Sequence, residues 1–329
     1  MRKLLLLWIT GLVFFSDPLI AQVDPHFTQY YAYPLWLNPA LTGMIDGDYR
    51  VGINYRQQLP GLYSPMVTQG ITADIALPKN FGLGATLLNQ GATDAGYHFT
   101  SGYLSLSYRV QLSKYGMLSS GFQLGLLNRR IDAGNFQFGN QFNPLSGYDP
   151  GLPSSEVFAH QSATSMDGSL GLMYFDGDPA KSFNPFIGIS LYHPTQPANH
   201  FISEATDNKI PTRYSINGGV RVQMGKRAEI IPNIIYQQQG SANEVTAGMV
   251  CNLTIEEGKF LMLGGAYRLN DAVAPSLGLH LNGLSIGFSY DINTSQIKTA
   301  SSANGGYELS ISFTHHKKIP ETRFICPRL

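Results

Sequence analysis

The stretch Gly283-Leu284-Ser285-Ile286-Gly287 fits the pattern G-x-S-x-G. That pattern carries a nucleophilic serine only where a strand turns sharply into a helix. Here it opens on Asn282-Gly283, the dipeptide that two-residue hairpin turns prefer, and it runs into an alternating strand. His98 and His160 are imidazoles near the outer end of the chain's strands, yet no pattern ties either to a hydroxyl. His315-His316 and Asp24-x-His26 hold metal-binding residue types without enough spaced ligands for a site. No glycine-rich loop precedes a helix. The chain is therefore expected to have no enzymatic activity, no cofactor and no metal. Its two cysteines, Cys251 and Cys326, give no disulfide framework. Cys251 shares a strand face with Val245, Ala247, Met249 and Leu253, so pairing with Cys326 is not expected. A register slip of one residue would reverse that face.

Composition narrows the classes further. There are 22 basic and 22 acidic residues, and 13% of the chain is charged. Phosphate binding needs a basic surface, so no nucleic acid partner is expected. Arg2 and Lys3, the apolar run Leu4 to Phe15 and the small Ala21 lay out a secretory signal peptide. The run is too short to anchor in a bilayer. Residues 1–21 are set aside as that signal.

The rest of the chain reads as strands. Val51, Ile53 and Tyr55 alternate with Gly52, Asn54 and Arg56. Leu104, Leu106 and Tyr108 alternate with Ser105, Ser107 and Arg109. Tyr214 and Ile216 alternate with Arg213, Ser215 and Asn217. Leu284, Ile286, Phe288 and Tyr290 alternate with Ser285, Gly287, Ser289 and Asp291, and Tyr307, Leu309 and Ile311 with Glu308, Ser310 and Ser312. Period two gives one apolar and one polar face. About 14 such strands begin near residues 48, 66, 81, 97, 115, 164, 184, 212, 227, 243, 259, 274, 284 and 305, and many reach the roughly 9 to 11 residues that cross a bilayer. Every second connection is short: 78–80, 113–114, 176–182, 225–226, 256–258 and 282–283. The others, 59–65, 91–96, 131–163, 194–210, 237–242, 270–273 and 293–304, are mostly longer. Tight turns at one end and loops at the other mark an outer-membrane barrel. The expected fold is all-β, a transmembrane antiparallel β-barrel over residues 48–316 in the cell outer membrane, with the lipid bilayer around it.

The polar faces would then line the lumen with Arg56, Arg109, Arg213, Arg221, Arg268, Glu244, Asp291 and Glu308. Mixed signs favour an ion-paired filling over a solute pathway, because selective pores usually show rings of one sign. A barrel this wide is not filled by its own side chains. The segment 22–47 is the candidate plug. Pro25, Pro34 and Pro39 break regular structure, and Phe27, Tyr30, Tyr31, Tyr33 and Trp36 supply bulk with polar handles. Entering from the periplasmic end, it would pack inside. The alternative is a periplasmic arm that frays.

Asp24 to Tyr31, Leu37-Asn38-Pro39-Ala40-Leu41-Thr42-Gly43 and Tyr49 to Gln58 resemble the start of the PorP/SprF family, outer-membrane proteins of the type IX secretion system of Bacteroidetes. The ending Cys326-Pro327-Arg328-Leu329 is similar to that family's Cys-Pro-basic-aromatic ending, with Leu in the last place. The likeness is dense over residues 24–58 and looser beyond. It implies a non-enzymatic accessory barrel of the secretion and gliding system, supporting secretion or surface anchoring of a cargo protein such as an adhesin. Its implied partners are a cargo with a C-terminal sorting domain and a periplasmic, peptidoglycan-linked secretion component. On that reading Phe136, Phe138, Phe142, Tyr148 and Phe158 of the longest loop are a candidate cargo surface, or a lid over the barrel's own mouth. The tail 317–329, with Lys317, Lys318, Arg323 and Arg328, would lie in the periplasm. A porin or transporter for hydrophobic or small solutes is the alternative, since Asn38-Pro39-Ala40 behind a signal peptide also resembles long-chain fatty-acid transporter barrels.

Overall fold

The computed structural model describes residues 24–61, 64–92, 96–132, 134, 136–143, 145–153, 161–198, 209–296 and 298–315. The expected signal peptide 1–21, the tail 317–329, Phe158, His160, His316 and Cys326 lie outside them. Fourteen strands form a closed antiparallel barrel in which each strand pairs with its neighbours in sequence. They are β1 (Tyr49–Gln58), β2 (Met66–Ala76), β3 (Phe81–Ala92), β4 (Tyr97–Gln111) and β5 (Gly116–Ile131). Then come β6 (Ser162–Asp176), β7 (Phe183–Tyr192), β8 (Arg213–Met224), β9 (Ala228–Gln239) and β10 (Ala242–Glu256). The last are β11 (Lys259–Arg268), β12 (Ala272–Leu281), β13 (Leu284–Asn293) and β14 (Asn304–His315). β1 pairs with β14 from Tyr49–His315 to Gln58–Gly306 and closes the ring.

The barrel is inverted relative to a soluble fold. Its outward side chains are apolar: Leu104 is 68% exposed, Ile187 55%, Leu277 53% and Leu124 51%. Their neighbours in sequence face inward and are buried and polar, among them Ser105, Gln123, Ser190, Ser289 and Ser310. Such a surface is stable only in lipid, and closure leaves no unpaired strand edge there. Aromatic residues ring its borders. Tyr49, Phe81, Tyr108, Phe183 and Phe313 are exposed near the short turns, and Tyr214 and Tyr267 near the other end. Among the described residues no helix is long and apolar enough to cross a membrane. The strands do the crossing.

The tight turns and both ends of the barrel, Tyr49 and His315, lie on one side. Asn282 and Gly283 both take positive φ, 50° and 97°, in the two-residue turn that their types predict. The opposite end is more uneven than the sequence reading holds. The connections after β9 and β11 shrink to 240–241 and 269–271, because β9 keeps pairing to Gln239 and the strand after β11 already pairs from Ala272. Long connections are confined to the sectors that hold 132–161, 193–212 and 294–303.

Candidate functional site: the occupied lumen

Residues 24–48 precede β1 and lie inside the barrel. Every residue from Tyr33 to Ile45 is buried. The described part of the segment begins at the long-loop end, where the Asp24 amide donates to Gln239 at the end of β9 (3.0 Å). It descends in short turns, Tyr30–Ala32, Pro34–Leu37 and Pro39–Leu41, each limited by proline. It leaves at the short-turn end, where Asp48 faces His315 (3.3 Å).

A path so irregular leaves backbone carbonyls without partners of their own, and the wall supplies them. Gln123 donates to the carbonyl of Leu35 (3.1 Å), Tyr192 to Trp36 (2.8 Å), Ser190 to Leu37 (3.1 Å), Ser119 to Ala40 (2.7 Å) and Ser107 to Thr42 (2.6 Å). Asn38 returns the contact. Its Nδ2 donates to the carbonyls of Leu172 (3.1 Å) and Ile189 (3.2 Å), while its Oδ1 accepts from the Ala40 amide (2.9 Å). The wall is glycine where the segment comes closest. A Cβ on Gly121 would stand 2.2 Å from the Pro39 carbonyl carbon, and one on Gly171 would stand 2.0 Å from Asn38 Oδ1.

Phe27, Tyr33 and Trp36 pack as one cluster in the outer half. Phe27 and Tyr33 pair at 5.0 Å between ring centres, and Trp36 stands 6.4 Å from both Tyr103 and Tyr192. Tyr33 donates to the Leu87 carbonyl (3.0 Å) and Trp36 Nε1 to that of Pro25 (2.8 Å). Tyr30 and Tyr31 pair edge to face at 5.6 Å.

Two buried ionic clusters fix the top of the segment. In the first, Asp291 and Glu308 face Arg56 at 2.7 and 3.1 Å, and Arg268 approaches Asp291 at 3.3 Å and Glu244 at 3.6 Å. Glu308 accepts from the amides of Thr28 (2.7 Å) and Gln29 (3.0 Å), and the Thr28 hydroxyl donates to Asp291 (2.8 Å). In the second, His193 lies between Asp24 and Asp167, 2.7 Å from each. Arg213 approaches Asp24 at 3.4 Å and stacks over the Tyr192 ring at 4.0 Å. Tyr103 donates to Asp167 (2.6 Å). Both nitrogens of His193 meet carboxylates, so both donate and the ring is an imidazolium. Burial works against that charge, but Asp24 and Asp167 outweigh it and lift the His193 pKa to about 9. Burial would raise the Asp24 pKa, yet His193 and Arg213 hold it well below the usual carboxylate range.

The expected lumen charges thus separate into groups. Arg56, Arg268, Asp291 and Glu308 meet around Thr28, whereas Arg213 joins Asp24. Arg109 sits at the other end, donating to the Gly43 carbonyl (3.0 Å). Arg221 pairs with Glu229 and donates to Asn184 (3.2 Å). Sequence reasoning missed Asp167 and Asp74, although both lie on the lumen parity of their strands. Asp74 binds Arg50 (2.9 Å) and the Gly43 amide (2.8 Å). It also missed His193, a lone imidazole after a strand that nothing local distinguishes.

Away from the lumen, Phe136 pairs with Phe138 (6.0 Å) and Phe142 with Tyr148 (5.5 Å). Phe142 stays 50% exposed and Leu145 98%. Ser285 lies 2.7 Å from His280 Nδ1, but His280 Nε2 accepts from the Gly283 amide (3.2 Å). Nδ1 therefore carries the proton and donates, so the ring does not stand as a base to that hydroxyl. Cys251 is a free thiol on the outer side of β10.

The family described as Type IX secretion system membrane protein PorP/SprF matches residues 19–313. The chain belongs to the PorP/SprF family. As a PorP/SprF protein with this barrel it is an outer-membrane protein of the type IX secretion class, and its short turns face the periplasm. The toluene transporter TbuX of Ralstonia pickettii is similar in fold, with a TM-score of 0.51 at 10% identity over 87% of this chain and 94% of its own. A deletion mutant of TodX, a monoaromatic hydrocarbon channel, gives 0.52 at 10% identity over 86% and 94%. These likenesses concern the barrel fold alone. No curated protein matches the chain.

Proposed function

We propose that this PorP/SprF barrel is a non-enzymatic accessory of type IX secretion that supports export or surface anchoring of a cargo protein, such as an adhesin with a C-terminal sorting domain. In this reading the segment 22–47 is a plug, a periplasmic peptidoglycan-linked component meets the short-turn end, and the exposed Phe142 and Leu145 loop offers cargo a surface. The observation that carries it is the lumen: a segment bound at both ends by buried ion pairs and carbonyl contacts suits a sealed scaffold more than an open pore. The test is a gene deletion followed by surface labelling of proteins with sorting domains, with tagged barrel purified in mild detergent to identify companions. Loss of one such protein from the surface, and its recovery with the barrel, supports the role. Intact surface display and a barrel recovered alone refute it.

A solute channel is the second reading, favoured by the space that the segment leaves at the short-turn end. Ohmic conductance of the intact protein in planar bilayers would promote it, and silence would remove it.

A further inference from the structure

A cavity of about 840 Å³ opens at the periplasmic end, between residues 31–46 and the inner wall from β9 to β14. That is within the size range of ligand sites, about 300–1,000 Å³. One side is apolar: Leu41 and Met44 from the segment face Ile231, Val250, Phe260 and Met262 from the wall. Such residues on the lumen side of a barrel oppose the usual polar interior. The other side is a row of hydroxyls, Ser285, Ser310, Ser312 and Thr314. The mouth carries Asp46, Glu256 and Glu257, with Glu256 paired to Lys259 (2.7 Å) and Arg50 to Asp74 (2.9 Å).

We propose that this cavity binds an extended peptide segment, bearing apolar side chains and at least one basic residue, that enters from the periplasm. Each surface answers one part of such a ligand. The apolar side takes its side chains, as burying them is favourable. Ser312 and Thr314 can each donate to and accept from a peptide backbone, while Ser310 already donates to Gln29 Oε1 (2.8 Å) and Ser285 accepts from His280. The acidic mouth attracts a basic residue and repels the anionic head of a fatty acid or phospholipid. This rests on the secretion reading above, in which the periplasmic end meets other proteins.

The test uses the full-length protein in detergent with a defined probe, the fluorescein-labelled hexapeptide Lys-Leu-Phe-Ala-Leu-Lys, and its counterpart with Glu for Lys. Anisotropy is expected to show at least about tenfold tighter binding of the basic peptide, a preference worth about 1.4 kcal/mol. Met262→Trp, which fills the apolar side, and the pair Glu256→Gln with Glu257→Gln are each expected to weaken binding by a similar factor. Equal binding of both peptides, or binding indifferent to Met262→Trp, overturns the proposal. So does oleate binding that is stronger than the peptide's and sensitive to Met262→Trp. A photocrosslinker placed at Phe260 in the native outer membrane gives an independent answer. An adduct with a separate polypeptide near a basic residue supports the proposal, and an adduct only with residues 316–329 of the same chain overturns it. If the peptide fails to bind while gene deletion still removes a cargo from the surface, this inference falls alone.

Discussion

At the scale of single residues, His193 is the most exposed to test. Its folded pKa, about 9, lies above the ordinary histidine value of 6.5. Its stabilisation of the segment is therefore complete below about pH 6.5 and is lost as pH rises through about 9. Asp24 and Asp167 bind it, and Tyr103, Arg213 and Arg129 surround them. Protease protection of residues 24–30 is expected to decline between pH 7 and 10 in the parent protein. In His193→Gln it should be weak at pH 7 and nearly flat with pH. Removing one partner of a buried ion pair costs about 3–5 kcal/mol, so Glu308→Gln should loosen the same residues by a comparable amount, read from urea dependence of that protection. Glu308→Leu combined with Arg56→Met should cost more than Glu308→Gln alone, because it also removes every acceptor at position 308 for the Thr28 and Gln29 amides and takes from Asp291 its partner Arg56.

At the scale of elements, the wall's shape holds the segment as much as its charges do. Gly171→Val on β6 would drive a side chain into Asn38, and Gly121→Val on β5 into Pro39. Both are expected to leave the barrel resistant to heat in detergent yet expose residues 30–40 to protease. On the outer face Leu124→Arg places a charge against lipid and should destabilise folding into vesicles by about 2–4 kcal/mol, depending on its depth. The strands themselves were legible in sequence because a barrel wall has one face in lipid and one in a polar lumen, which forces strict alternation. The observed starts, at 49, 66, 81 and 97 for example, follow that alternation closely. β9 and β11 obscure it, since Ile231 and Ile235 or Phe260 and Met262 put apolar side chains inside as well. The ionic clusters were not legible. Thr28 and Glu308 are 280 residues apart, and only three-dimensional closure brings them together.

At the scale of the whole molecule, filling and opening are the properties to measure. Deleting residues 24–46 removes most of what the lumen holds and leaves the fourteen paired strands. The expected result is a folded barrel whose conductance in planar bilayers rises from near zero to that of a wide pore. If the deletion variant stays silent, other parts of the chain block the passage and the plug role fails.

The position of the first ionic cluster has a kinetic consequence. Arg56 and Glu308 are direct cross-strand partners on β1 and β14, the two strands whose pairing completes the ring. Thr28 binds both and Gln29 binds Glu308, from within. The amino-terminal stretch thus acts as a clasp over the seam of the cylinder. Zipping the seam and seating the clasp become one step of membrane insertion, and a chain that cannot seat it should linger with its first and last strands apart.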